Sequence, residues 1–71
     1  MVRNFFYKIQ KINEDGAVIA EEESELFNKF KAVELTAMNI KNNLSDQEKE
    51  QTKIQIYEIH GDNKPILIET L

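Results

Sequence analysis

Leu26, Phe30, Val33, Ala37, Ile40 and Leu44 recur at intervals of four, three, four, three and four residues. That spacing returns every side chain to one side of a helix, so it predicts an amphipathic helix of about five turns. A helix with a single apolar stripe has to lay it on a second layer. Ser24 reads as the N-cap. Glu21, Glu22, Glu23 and Glu25 cluster around the same point, where negative charge opposes the positive end of the helix dipole.

The flanking segments supply the second layer. In "NFFYKIQKI", residues 4–12, Phe5, Tyr7 and Ile9 alternate onto one face, while Phe6 and Ile12 share the other with Lys8 and Gln10. Aromatic and β-branched residues at this period predict a strand. "NEDG", residues 13–16, is turn chemistry, with Gly16 free to take positive φ. Val18 and Ile19 support a second strand, which the following glutamates mark as a sheet edge. Ser45 with Glu48 forms a capping box that can start a short helical turn. Ile54, Ile56, Tyr57 and Ile59 then predict a third strand, "HGDNKP" a loop, and Ile66 to Leu71 a fourth strand. The expected fold is α+β, one domain spanning residues 1–71. It is a β-hairpin, a long helix and a second β-hairpin (ββαββ), with an antiparallel sheet carrying the helix on one face. Without the weak second strand the layout becomes βαββ.

Composition narrows the chemistry. At 71 residues the core is small, and with no cysteine neither a disulfide nor a thiolate–metal site can reinforce it. The N-terminal stretch, residues 1–12, is too short and too polar for a signal peptide, and nothing approaches a membrane span. A soluble, cytoplasmic protein is expected. The formal charge of −4 argues against nucleic acid as a partner, since phosphate neutralisation needs a basic footprint. Lysines scattered among glutamates, with a single arginine, form an ordinary solubilising surface.

No catalytic or cofactor constellation stands out. The two serines, Ser24 and Ser45, are better explained as helix caps than as nucleophiles. His60 and Asp62 share a loop and can be drawn as an acid/base pair, but an exposed loop histidine is the simpler reading. The run Glu21 to Glu25 lacks the turn-shaped ligand loop of a calcium site, and no zinc or phosphate-loop spacing is present. The protein is therefore expected not to be an enzyme, and to hold neither metal nor cofactor.

The informative feature is a surplus of apolar side chains. The first, third and last strands each place large apolar residues on both faces, and one helix covers only one face. A β-bulge between Ile56 and Tyr57 can turn residues inward; surface apolar atoms are ordinary; or the second face meets another chain. The third account makes Phe6, Ile12, Leu67 and Leu71 candidate partner residues. On the helix, Phe27 and Met38 fall roughly 100–120° from the stripe and Leu35 about 180°. They either lie under a flanking loop or anchor a partner.

The resulting expectation is a non-enzymatic protein-interaction module. In layout and size it is similar to small phage-encoded proteins that bind and block a host enzyme, including uracil-DNA glycosylase inhibitors and anti-CRISPR proteins. That likeness implies a phage or mobile-element inhibitor or accessory protein. The alternatives are a homo-oligomeric accessory protein, as a homodimer, and, less favoured, a nucleic-acid binder.

Overall fold

β1 (Arg3–Ile12), β2 (Val18–Glu23), α1 (Phe30–Asn42), α2 (Asp46–Glu50), β3 (Thr52–His60) and β4 (Ile66–Thr70) follow one another in a computed structural model that describes residues 3–71. The first two residues of the N-terminal stretch read for a signal peptide lie outside the described residues. The strands form one antiparallel sheet in the order β2-β1-β3-β4. α1 packs on β1 and β3, the two central strands. The expected α+β fold is present, with α2 added before β3, and β2 is a full strand rather than the missing element of the βαββ alternative.

Both hairpin strands that flank the helix follow the alternation seen in the sequence. The turn after β1 is closed by Asn13, whose side-chain oxygen accepts from the backbone N–H groups of Asp15 and Ala17, each at 3.0 Å. Gly16 sits at φ 85°, a left-handed conformation that glycine adopts without steric cost. β1 and β3 pair without interruption from Arg3↔His60 to Lys11↔Thr52. Opposite residues share a face, so Tyr7 with Ile56 and Ile9 with Ile54 form the floor under α1. Val33 and Ala37 close onto that floor, with Phe30 and Ile40 beside them at helical spacing. The Phe5 and Phe30 rings meet edge-on at 5.8 Å.

The helix begins later than its stripe predicts. It starts at Phe30, with Lys29 extended at the N-cap and no side-chain cap. Residues 24–27 instead continue alongside β1. Ser24 N–H donates to the Tyr7 carbonyl at 2.9 Å, and Tyr7 N–H donates to Ser24 Oγ at 2.9 Å. Phe5 and Phe27 then exchange both backbone hydrogen bonds at 2.7 Å. Satisfying β1's outer edge outweighs about one and a half more turns of helix, because unpaired backbone groups beside a core cost more than a few residues of helix propensity gain. The correction removes the acidic cluster from the helix entrance: the first turn of α1 carries no acid, and Glu21 to Glu23 lie in β2. The capping box at Ser45 and Glu48 is formed as the spacing predicts.

The radius of gyration is 12.7 Å, against about 11 Å for a compact domain of this length. The excess reflects an elongated molecule, 41 × 22 × 16 Å along its principal axes. Two expected outcomes follow. Ile54→Ala, at a fully buried position, lowers unfolding free energy by about 3 kcal/mol in urea titrations. Ser24→Ala lowers it by about 1 kcal/mol while leaving the far-ultraviolet helical signal unchanged; a loss of helical signal would restore Ser24 as a helix cap.

Candidate interaction surfaces

A free sheet edge exposes a row of backbone donors and acceptors, so β2 and β4 are the places to look for contacts. Each edge carries one irregularity. The β2 register runs Lys11↔Ala20 and then Ile12↔Val18, which leaves Ile19 without a partner. The β4 register runs Ile56↔Glu69 and then Tyr57↔Leu67, which leaves Ile68 without one. A register shift does fall between Ile56 and Tyr57, as in one of the three accounts of the apolar surplus, but the extra residue belongs to β4 and does not turn the β3 residues inward. β3 itself stays in register with β1, so Ile54 and Ile56 face the helix while Tyr57 and Ile59 face the other way.

β4 is the more apolar edge. Ile66, Leu67 and Ile68 are consecutive and all exposed, Leu67 at 47%. Leu71, just beyond the strand, pairs with Ile54 through two backbone hydrogen bonds of 2.8 and 3.3 Å and packs against the core. Glu69 lies near Glu34 of α1. Partial burial and then the neighbouring Glu34 carboxyl raise the Glu69 pKa above its ordinary 4.5. One helical turn beyond Glu34, Met38 is exposed at 42%, and Leu35 is exposed at 58% on the outer side of α1.

The seven candidate partner residues therefore do not form one surface. Leu67, Leu35 and Met38 are exposed. Phe6 is only 5% exposed, because its ring stacks on cross-strand Tyr57 at 5.1 Å between centroids, with Lys8 Nζ 5.2 Å from the centre of the Tyr57 ring. Phe27 is half-buried against the core, with its ring 6.2 Å from that of Tyr7. Leu71 also belongs to the core margin. Ile12 lines a cleft on the helix side of the sheet rather than the opposite face. The exposed Ile66, Ile68 and Ile19 were not singled out from the sequence; their signal was membership of a short apolar run in an edge strand.

That cleft has a volume of about 350 Å3 and opens between β2 and the end of α1. Ile9, Ile12, Ile19, Ile40 and Leu44 supply its apolar lining, and Lys11, Glu22 and Glu48 its charges. The Glu48 pKa is held below its ordinary value, first by the Ser45 backbone N–H and then by the Ser45 hydroxyl, with Lys11 adding attraction. Tyr7, near the same edge, has its phenol pushed up by burial and by the charges of Glu25 and Glu22.

The polar groups are engaged in structure. His60 Nε2 pairs with Glu58 at 2.9 Å, and Arg3 Nε donates to the same Glu58 oxygen at 2.7 Å. The acid/base partner drawn from the sequence for His60 was Asp62, whereas the contact formed is with Glu58 two residues earlier on the strand. Lys41 Nζ donates to the carbonyls of Lys49, at 3.0 Å, and Thr52, tying α1 to α2 and β3. Among the described residues no group of three or more His, Cys, Asp or Glu side chains is placed to hold a metal ion. No described helix is long and apolar enough to cross a membrane. No protein family matches the chain, and no characterised protein or solved structure is similar to it at a significant level.

Because the folded state holds the Glu69 proton more tightly than the unfolded state, ionising Glu69 costs stability. That cost is present above the raised value and disappears as pH falls below the unfolded 4.5. Glu69→Gln is therefore expected to raise the urea midpoint at pH 7 and to have little effect at about pH 4. Paired denaturation curves at the two pH values check this.

Proposed function

We propose that the protein is a non-enzymatic interaction module that works by binding another protein through the β4 edge and the adjoining flank of α1. The observation that carries the reading is the exposure of Ile66, Leu67 and Ile68 on a strand with one free edge. Met38 and Leu35 are further exposed apolar side chains, on α1. A partner strand laid along β4 would gain main-chain hydrogen bonds while its side chains reach this flank, the mode of recognition known as strand addition. A small acidic chain of this kind suits stoichiometric inhibition or assistance of a host protein in the cytoplasm, the role expected of a phage-encoded inhibitor or accessory protein.

A second reading, a homo-oligomer, is favoured by the same strand. Two copies joined edge to edge through β4 would place both α1 helices on one side of a continuous sheet. Burying even three such side chains, at roughly 1.5–3 kcal/mol each, would be a large gain for a domain with so small a core.

Sedimentation equilibrium at micromolar concentration, with wild type and Leu67→Lys, separates the readings. Self-association that Leu67→Lys abolishes supports the homo-oligomer. A monomer that retains a stoichiometric protein, lost with Leu67→Lys and with Met38→Glu, supports a heterologous partner. A monomer whose captured proteins are indifferent to both substitutions would remove β4 and α1 as the contact surface.

A further inference from the structure

β2 stops covering β1 at Lys8↔Glu23, yet the outer edge of β1 continues to Phe5. Residues 24–28 cover the remainder as a strap between β2 and α1. The strap is tied down at two points. At Ser24, the N–H donates to the Tyr7 carbonyl and Oγ accepts from the Tyr7 N–H, each at 2.9 Å. At Phe27, the backbone exchanges two hydrogen bonds of 2.7 Å with Phe5. The register slips between these ties. Lys11↔Ala20 and Ile9↔Glu22 extrapolate through Ser24 opposite Tyr7 to Leu26 opposite Phe5, but Phe27 takes that place. One extra residue is therefore looped out, and Leu26 is left 60% exposed. Glu25 and Asn28 are exposed as well, and Phe27 is the apolar anchor of the strap on the core.

We infer that residues 24–28 form a strap that opens as one unit while β1, β3 and α1 stay folded, and so gates the edge of β1 at residues 5–7. The physical reason is a contrast in attachment. Local opening is drawn from segments with few buried apolar contacts and with backbone hydrogen bonds near solvent. The strap has one anchoring ring, that of Phe27 beside Tyr7, and two pairs of hydrogen bonds separated by a bulge. On its other side β1 is held by the unbroken ladder to β3, from Arg3↔His60 to Lys11↔Thr52. Phe5 and Tyr7 also pack into the core with Val33 and Ala37 of α1. Loss of the strap therefore leaves β1 in place. It frees the N–H and C=O groups of Phe5 and Tyr7, in line with β2, and vacates the hollow filled by the Phe27 ring. An extended protein segment joins such an edge by strand addition, and the closed strap occupies it. The strap lies on the opposite side of the sheet from β4 and stands or falls separately from the β4 contact.

The test is backbone amide exchange on the isotope-labelled full chain, followed by NMR at rising urea below the unfolding transition. Phe5 and Tyr7 turn their N–H groups to the strap, and Phe6 and Lys8, alternating with them, turn theirs to β3. The expected result is fast, urea-insensitive exchange at Phe5 and Tyr7 and slow, urea-sensitive exchange at Phe6 and Lys8. Each variant is then read at the tie it does not touch. Ser24→Ala is expected to raise Phe5 exchange about fivefold, and Phe27→Ala to raise Tyr7 exchange by more than about tenfold, both still insensitive to urea. Should Phe27→Ala fail to fold, Ser24→Ala read at Phe5 decides. Phe5 and Tyr7 sharing the urea dependence of Phe6 and Lys8 would overturn the inference, because only global unfolding would then free them. So would Phe6 exchanging as fast as Phe5, which reports fraying of β1 itself, or a Phe5 rate that Ser24→Ala leaves unchanged, which means the two ties open separately.

Discussion

The uninterrupted ladder between β1 and β3 is the interaction on which the rest of this structure depends. It places Tyr7 against Ile56 and Ile9 against Ile54, and so makes the continuous apolar floor that α1 covers. Ile54, Ile56, Val33 and Ala37 are completely buried in that contact. Ala37 has no bulk to hold the helix away from the sheet, which allows Val33 and Phe30 to reach the strands. On the reverse face the same ladder stacks Phe6 on Tyr57. Two aromatic rings shielding one another give the sheet a second, small apolar cluster where no helix is available.

Because the centre is so well paired, irregularity is displaced to the edges. β2 and β4 each carry one unpaired residue, Ile19 and Ile68. Bulges of this kind bend and twist an edge, which discourages indiscriminate pairing with other sheets. They also expose an isoleucine. The edges then differ in charge: β2 ends in three consecutive glutamates, whereas β4 carries the single acid Glu69, its pKa raised by burial and by Glu34. The two edges of one small sheet therefore differ in charge density.

Much of this was legible in the chain. Alternation in residues 4–12 and 54–59, the turn at Asn13–Gly16 and the capping box at Ser45 are local patterns with local physical causes, and each is found where it was expected. Among the candidate partner residues, Leu35, Met38 and Leu67 are exposed as their positions suggested. The buried candidates share one origin. Phe6, Phe27 and Leu71 occupy sides of an isolated strand or helix that do not decide their burial, and for Phe27 packing under a flanking segment was one of the two readings. Their burial depends on neighbours distant in sequence: Tyr57 for Phe6, β1 for Phe27 and Ile54 for Leu71. The helix start fails for the same reason, since Ser24 can cap a helix or bond to Tyr7, and only the presence of β1 decides between them.

The sequence by itself determined the class of the fold and the lack of any cysteine-based reinforcement. Periodicity and turn chemistry are properties of neighbouring residues and need no tertiary context. The tertiary structure alone decided the strand order, the position of the two bulges, and hence which apolar side chains remain in solvent. Pairing between strands dozens of residues apart sets those outcomes, and a shift of one residue turns a side chain from core to surface. The β4 edge and the β2 cleft are consequences of that register, not of any motif.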